Sequence, residues 1–327
     1  MNTYKHKRNW LSFMLVIGGA LMPGAVGAHE PFPSMPIHLI VPTVGGTVDL
    51  IARIVGTRLS EAWGQPVVIE QKAGASGNIA AEMVARKAAD GYTILISYNP
   101  LVNSRFLSKE LSYNKISDLA PITLATLTPQ ILVVNSSVPV SNIHEFIAMA
   151  KAKPNTLNYA SIAPDSASHM TMELFKTRAA IKINHVPYKG AAPAINDLLG
   201  KNVEAGFFGA ANVIEYVKAK QLRALAVTGR KRLRSLPNVP TVVESGFPDF
   251  DATLWIGFLA PAQTPAPIIE KYNHEIIRIL ELPEVRSQLE ALDFEVVGST
   301  PAAFGDFIRS ETAIWSNVAK EAHMLPE

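Results

Sequence analysis

The stretch "PIHLIVPTVGGTVDLIAR", residues 36–53, joins a short apolar run to an amphipathic segment through two adjacent glycines. The β-branched run at 37–41 predicts a strand, and the apolar spacing of three and four after the glycines predicts a helix. No lysine follows the second glycine and no G-x-G-x-x-G occurs, which excludes a P-loop and a dinucleotide fingerprint. We interpret the stretch as a strand, a glycine turn and a helix that Thr47 caps, with Asp49 in its first turn. Such a turn either binds an anion through its N–H groups or is a tight turn without a ligand.

Short β-branched runs alternate with helical patterns along most of the chain, which predicts an α/β fold with a mostly parallel sheet. In such sheets ligands bind beyond the carboxyl ends of the strands, so the loops that leave strands are the candidate site. Further strands are expected at 67–69, 92–97, 131–134, 157–161, 184–186, 205–208, 222–228, 254–260 and near 295–297, with a helix at 78–89.

Residues 1–28 have the features of a secretory signal peptide. A basic start at Lys5, Lys7 and Arg8 precedes an apolar stretch at 10–22, and small residues end at Ala28, after which cleavage is expected. The apolar stretch is shorter than the roughly 20 residues of a membrane span. No later apolar run is long enough to span a bilayer, so we expect a soluble periplasmic protein.

Composition narrows the function classes. The chain has 30 basic and 28 acidic residues, and removal of residues 1–28 takes away three basic ones and leaves 27 against 28. A nearly neutral chain without basic runs interleaved with aromatics is not expected to bind nucleic acid. It has no cysteine, which excludes a disulfide-stapled mini-domain and thiolate metal sites. Its histidines are scattered singly, so no metal or cofactor is expected.

A second strand-to-helix loop lies at "YASIAPDSASHM", residues 159–170, where Asp165, Ser166 and Ser168 are all possible helix caps. Its hydroxyl and N–H groups either bind a ligand carboxylate or only cap the helix. Ser168 and His169 adjacent to Asp165, or Ser76, also suggest a secreted serine hydrolase. Ser168 and His169 would point about 100° apart on a helix, and no G-x-S-x-G elbow is present.

Three further loops follow predicted strands. "NHVPYKGAAPAINDLLG", residues 184–200, places Tyr188 and exposed N–H groups of Gly190 and Ala191 before a helix expected to start near Pro193. "GFFGAAN", residues 206–212, repeats the arrangement at Gly209 and Ala210 without charge. After the strand that ends at Ser97, Tyr98 is predicted as a wall of the cleft and Asn103 as a polar contact.

Five ordered stretches resemble one family, the Bug-type periplasmic solute-binding receptors of tripartite tricarboxylate transporters. They are "PIHLIVPTVGGTVDLIAR" and, further along, "GQPVVIEQKAGASGNIAAEMVARKAADGYTIL", "HVPYKGAAPAINDLLG", "LRALAVTGRKRLRSLPNVPTVVESGFP" and "LWIGFLAPAQTP". The resemblance implies a two-lobed, type II-like periplasmic binding protein of two doubly wound α/β domains. Lobe 1 would comprise residues 29–129 and 253–327 and lobe 2 residues 130–252. Two hinge crossings would lie near Pro129–Gln130 and Thr253–Leu254.

The resemblance also implies a small organic carboxylate, such as a di- or tricarboxylate or an aromatic acid, held in the cleft by backbone N–H groups and ordered waters. It maps this role onto residues 43–49 and 161–169. With the loops above, the predicted ligand-binding residues are Thr43, Val44, Gly45, Gly46, Thr47, Asp49, Tyr98, Asn103, Ser161, Ala163, Asp165, Ser166, Ser168, His169, Tyr188, Gly190, Ala191, Gly209 and Ala210.

Three positions depart from the family pattern. Val44 stands where a proline usually precedes the glycine pair, and Asp165 lies in a loop that is usually rich in Gly, Asn and Ser. Asp165 would repel a carboxylate unless it caps the helix and faces away. No acidic side chain follows the strand at 205–208, which disfavours an amino-acid ligand. Phe207, Phe208 and Tyr98 either line an apolar pocket or belong to the core.

The predicted function is a monomeric, non-catalytic receptor that closes around a carboxylate and delivers it to membrane permease subunits. Two alternatives remain open from the sequence. One is the secreted hydrolase, and the other is a receptor that feeds a two-component sensor instead of a permease.

Overall fold

The computed structural model of the chain describes Met1, residues 32–107 and residues 115–325. The predicted signal peptide lies, apart from Met1, outside these residues. From Phe32 onward the chain forms one compact unit. Among residues 32–107 and 115–325, no helix has the length and apolar character needed to cross a bilayer.

Strands and helices alternate through most of the described chain. The strands are β1 (Ile37–Val41), β2 (Val67–Gln71), β3 (Thr93–Tyr98), β4 (Leu119–Asn135), β5 (Asn158–Ser161), β6 (Asn184–Pro187), β7 (Ala205–Gly209), β8 (Leu222–Val227), β9 (Thr253–Pro261) and β10 (Glu295–Val296). The helices are α1 (Gly46–Trp63), α2 (Asn78–Ala85), α3 (Pro100–Leu107), α4 (Ile143–Ala152), α5 (Ala167–Ala179), α6 (Ala191–Leu199), α7 (Ala210–Lys218), α8 (Ala266–Leu280), α9 (Pro283–Ala291) and α10 (Pro301–Glu321).

Two groups of parallel strands are joined by antiparallel ones. Strand β1 pairs in parallel with β2 and β3, and β5 pairs in parallel with β6 and β7. Between these groups, β9 runs antiparallel to both β3 and β4, and β4 runs antiparallel to β7 and β8. The prediction of a mostly parallel sheet is therefore wrong for the centre, because two long strands run between the groups against the direction of their neighbours.

The long strand β4 changes partners along its length. Its first part pairs with β9 as far as Pro129 opposite Thr253, and from Gln130 onward it pairs with β7. The sequence predicted only residues 131–134 of this strand. Its earlier part, "LAPITLATLTP", contains two prolines and no clear alternation, and its strand conformation results from pairing with β9 on a buried sheet.

Apolar helix faces cover the sheet. On the β1–β3 side, α1 and α8 bury their apolar residues against the strands, with Leu59 and Ile276 fully buried. Helix α10 packs against β4, α3 and α5. Because α3 follows β3 and α5 follows β5, α10 contacts helices that belong with each of the two groups of parallel strands. The predicted helix at 78–89 ends at Ala85, where Arg86 already leaves regular helix geometry.

Candidate functional site

The first candidate loop follows β1 and leads into α1. Gly45 and Gly46 have φ of 69° and 75°, left-handed values that glycine adopts without steric cost. Helix α1 begins at Gly46, and no side chain caps its amino end. The predicted cap Thr47 is wrong, because the glycine turn starts the helix one residue earlier and puts Thr47 inside the first turn. Without a cap, the first-turn N–H groups of α1 have no side-chain acceptor.

Asp49 has partners within its own part of the fold. Arg53 Nε donates to Asp49 Oδ2 at 2.8 Å, and Gln71 Nε2 donates to Asp49 Oδ1 at 2.6 Å. Burial raises the pKa of Asp49, but the hydrogen bonds from Arg53 and Gln71 outweigh burial and leave the pKa lowered. The carboxylate therefore ties α1 to β2. At the tip of the same loop, the side chain of Val44 is 73% exposed, and Thr43 Oγ1 donates to Gly45 O at 3.2 Å.

The second candidate loop, between β5 and α5, is bonded largely to itself. Ser166 is the helix cap, since its Oγ accepts from the His169 N–H at 3.3 Å. Ser168 Oγ accepts from the Ile162 N–H at 3.0 Å, and Ser166 Oγ donates to Ala163 O at 2.6 Å. Several donors that the sequence assigned to a ligand therefore already have acceptors inside the loop. Ser168 Oγ bonds Ser166 Oγ at 2.9 Å rather than a histidine, which does not match a nucleophile and its base.

Two histidines that the sequence showed as isolated are stacked beside this loop. The rings of His169 and His185 have centroids 3.8 Å apart and planes at 9°, and Tyr159 stacks on His185 at 4.9 Å. Burial, with repulsion from His169 and Lys176, lowers the pKa of His185 to about 3. Burial also lowers the pKa of His169. Both rings are therefore neutral at neutral pH and add no cation to the site.

Asp165 reaches across to a different part of the fold. Its carboxylate accepts hydrogen bonds from Ser76 Oγ and, at 2.8 Å, from Ser104 Oγ, and its backbone carbonyl accepts from Asn103 Nδ2 at 3.2 Å. Ser76 lies between β2 and α2, and Ser104 lies in α3. The expectation that Asp165 could cap the helix and face away is therefore wrong, because Ser166 occupies the cap position. Asp165 instead joins the β5–α5 loop to the turn at 75–77 and to α3.

Asn103 and Tyr98 lie close to this contact. Asn103 is 1% exposed and its Oδ1 has no hydrogen-bond partner among the described residues. The ring of Tyr98 contacts the same turn, since a Cβ built on Gly77 would lie 3.3 Å from Tyr98 Cε1. Burial, with a smaller contribution from the charge of Asp165, raises the pKa of Tyr98. The structure therefore brings Tyr98, Asn103 and Asp165 together as one cluster.

The loop after β1 begins, at Pro42, beside this cluster. The same Cβ on Gly77 would lie 3.0 Å from Pro42 Cβ, which places the turn at 75–77 directly against the start of the first loop. Gly77 is thus adjacent both to the loop that starts α1 and to Ser76, which donates to Asp165.

A cavity of about 540 Å³ opens between these elements. The residues that line it are Ala75, Ser76, Asn78, Leu107, Pro164, Asp165, His169 and Met324. Of the predicted site residues, Asp165 and His169 are among them. The contribution of Ser76 and Asn78 was missed, although "GASGN" also follows a strand and starts a helix. Met324 comes from the end of the chain, where no loop pattern marks it.

The loops at 184–200 and 206–212 contribute less than expected. The Gly190 N–H donates to Ile162 O at 3.0 Å and the Tyr188 N–H to Ser161 O at 2.9 Å, so the prediction of an exposed Gly190 N–H is wrong. Both N–H groups thus bond to the loop that follows β5 and are not free for a ligand. Helix α6 then begins at Ala191. Tyr188 Oη donates to Asp197 at 2.6 Å, and burial with this bond raises the pKa of Tyr188 to about 12.

The segment around Gly209 is part of the core rather than of a pocket wall. Phe207 and Phe208 are fully buried, and Phe207 packs on Phe175 and Phe250. Gly209 lies so close to β9 that a Cβ there would meet Leu254 Cδ1 at 2.9 Å. Ala210 starts α7, whose amino end has no side-chain cap. Over the part of the chain that the structure describes, no three His, Cys, Asp or Glu residues form a group that could hold a metal ion.

Known proteins share this fold and much of this sequence. A family model described as tripartite tricarboxylate transporter family receptor matches residues 51–324. The protein BugT of Bordetella pertussis is 35% identical over 319 residues, covering 96% of this chain and 98% of BugT.

Solved structures agree with these sequence matches. The structure of R. palustris Rpa4515 with adipate has a TM-score of 0.84 and 34% identity, and the match covers 90% of this chain and all (100%) of that one. MatC of Rhodopseudomonas palustris with bound malate has a TM-score of 0.79 and 28% identity, over 88% of this chain and 99% of MatC. The predicted periplasmic-binding-protein fold is therefore confirmed, and the serine hydrolase alternative is wrong because the family that the chain matches is a family of transporter receptors. By its family match, its relatives and its fold, this chain belongs to the tripartite tricarboxylate transporter family of receptors and is a Bug-type solute-binding receptor.

Proposed function

We propose that this receptor captures a small organic carboxylate in the periplasm and delivers it to membrane permease subunits of a tripartite tricarboxylate transporter. Two solved relatives hold dicarboxylates, adipate and malate, which supports the ligand class. The basic and apolar start of the sequence supports export with cleavage after Ala28.

The observation behind the proposed binding mode is the amino end of α1. It follows a glycine turn and has no side-chain cap. Pro42, at the start of the same loop, lies against the turn at 75–77, which contributes Ala75 and Ser76 to the cavity lining. Unpaired N–H groups and the helix dipole favour an anion there by about 0.3–1 kcal/mol for each interaction at exposed sites. Several such interactions in a closed cleft are compatible with micromolar binding, about −8 kcal/mol.

Main-chain donors are proposed in place of cationic side chains because, among the described residues that line the cavity, none is a lysine or an arginine. The nearby Lys176 pairs with Glu173 at 2.6 Å, and Lys72 pairs with Glu70 at 3.2 Å. In the second loop, several donors are already used internally. The ligand carboxylate is therefore assigned chiefly to residues 43–47, with fewer contacts from 161–169 than the sequence suggested.

Closure is proposed as a hinge motion between residues 29–129 with 253–327 and residues 130–252. The change of β4 partners between Pro129 and Gln130, opposite Thr253, supports hinge positions at these two crossings. Contacts from both sides of the cleft would favour the closed form.

A thermal-shift screen of the chain from residue 29 onward tests the proposed function. Dicarboxylates, aromatic acids and amino acids would be added singly, with a neutral sugar and inorganic sulfate as controls. A ligand at 100 times its dissociation constant should add about 2.7 kcal/mol to the free energy of unfolding. Stabilisation by the sugar alone, or by no acid, would contradict a carboxylate receptor.

A further inference from the structure

The wall of the cavity includes a carboxylate, which is a hydrogen-bond acceptor. Among the described residues that line the cavity, Asp165 is the one with a formal negative charge, and none is a lysine or an arginine. A carboxylate has about four acceptor positions, and Ser76 and Ser104 occupy two of them. The remaining positions can accept from a ligand.

A second acceptor lies at the same place. Asn103 is 1% exposed, and its Nδ2 donates to the Asp165 carbonyl. This bond fixes which amide atom is oxygen and leaves Asn103 Oδ1 buried without a partner. Buried acceptors in native proteins are nearly always satisfied, so an unpaired one next to a binding cavity indicates a donor that arrives with the ligand.

The neighbouring titratable groups do not reverse this polarity. His169 is neutral because burial lowers its pKa, and its Nδ1 contacts the carbonyl of Pro164. Lys176 is paired with Glu173, and the Tyr98 hydroxyl stays protonated because its pKa is raised. Asp165 therefore lines the cavity, and the unpaired Asn103 Oδ1 belongs to a side chain bonded to the Asp165 carbonyl. Among the residues that the structure describes, no cation that lines the cavity compensates these acceptors.

We propose that Asp165, with Asn103 Oδ1, is a specificity determinant that selects acids whose far end is a hydrogen-bond donor, foremost an amine, and that it disfavours a second carboxylate. This inference rests on the proposed function, in which residues 43–47 hold the first carboxylate. A second carboxylate beside Asp165 would bring two like charges together, whereas an ammonium group forms charge-assisted bonds. The acidic group that is missing after β7 would thus be provided by the loop after β5, and the sequence-based argument against amino-acid ligands would no longer hold.

Two matched pairs of ligands test this selectivity. Adipate and 6-aminohexanoate share a six-carbon chain, and succinate and 4-aminobutanoate share a four-carbon chain, so each pair differs only at one end. Affinities would be measured by calorimetry for the wild type, for Asp165→Asn and for Asp306→Asn, an exposed position on α10 that controls for the loss of one negative charge. Asparagine keeps the acceptor for Ser76, and a thermal melt without ligand checks that the variant is folded.

The wild type and Asp306→Asn should bind the amine of at least one pair about tenfold more tightly than its dicarboxylate, a difference of about 1.4 kcal/mol. In Asp165→Asn the preference should vanish or reverse. A wild-type preference for the dicarboxylates that Asp165→Asn leaves unchanged would overturn this inference and leave the proposed function in place. If none of the four acids, nor any acid of the wider screen, bound to any of the three proteins, both would be overturned.

Discussion

Gly45 and Gly46 show how single residues prepare the proposed anion site. Both have left-handed φ values, and no atom lies within 4 Å of a Cβ built on either one. Space alone would thus admit larger residues, and it is the backbone conformation that requires glycine. The same conformation starts α1 without a polar side chain at its cap, which leaves the N–H groups available.

We predict that the single substitution Gly46→Asp weakens carboxylate binding by at least about tenfold, or about 1.4 kcal/mol. The new carboxylate would occupy the helix amino end and repel the ligand. Calorimetry with an acid found in the screen gives the measurement.

Gly64→Asp is the matched control for this variant. Gly64 ends the same helix, has φ of 65° and also has no atom within 4 Å of a built Cβ, so the added charge and the backbone strain are similar. It should retain wild-type affinity. Equal affinity of both variants would place the ligand away from residues 43–47.

Among the elements, α10 has a special position because it packs against β4, α3 and α5. Within it, Trp315 Nε1 donates to Glu311 Oε2 at 2.8 Å. Burial, with repulsion from Asp251, raises the pKa of Glu311 to about 7, although the bond from Trp315 acts in the opposite direction. The folded protein therefore holds a proton on Glu311 more tightly than the unfolded chain does.

The stability of the wild type should consequently fall as pH rises through about 7, whereas the contribution of Glu311 is fully present below about pH 4.5. Glu311→Gln removes this titration and still accepts from Trp315. We expect the variant to be more stable than the wild type by about 2 kcal/mol at pH 8 and similar to it at pH 5.

Urea unfolding at the two pH values measures the difference. Glu321→Gln, on the same helix and with an exposed side chain that pairs with Arg178, controls for the loss of one negative charge. If Glu311→Gln followed the wild type at both pH values, the assigned titration would be incorrect.

Across the whole molecule, the contact of Asp165 with Ser76 and Ser104 joins elements that are distant in sequence and border the cavity. If the proposed hinge is correct, this contact breaks when the cleft opens. We therefore predict that small-angle X-ray scattering shows a smaller radius of gyration for the wild type after saturation with ligand.

A cross-linked variant provides the control, since the chain has no cysteine of its own. Ser76→Cys with Asp165→Cys, bridged by a short thiol reagent such as dibromobimane, should hold the cleft closed and show no change on ligand addition. Ser76→Cys with Ser287→Cys should not bridge, because Ser287 lines a different groove beside α9. An unchanged radius for the saturated wild type would contradict ligand-driven closure.

Local patterns determined much of this protein. The strand, glycine turn and helix at 36–53 and the alternation of strands and helices follow from spacing in the sequence, because hydrophobic period and turn residues act over a few positions. The receptor family was indicated separately, by the resemblance of five ordered stretches to that family. These features were sufficient for the fold class and the receptor family. The direction of the central strands and the first half of β4 were not predictable in this way, since both depend on pairing with β9 more than a hundred residues away.

Tertiary structure alone decided what the predicted site residues do. The sequence placed Asp49, Asp165 and Gly190 alike in loops that leave strands. In the structure, Asp49 is held by Gln71 of β2, the Gly190 N–H is used by Ile162, and Asp165 faces Ser76 and Ser104. Whether a polar group is free for a ligand depends on which partners the fold brings within about 3 Å, and hydrogen bonds between distant segments leave no local pattern.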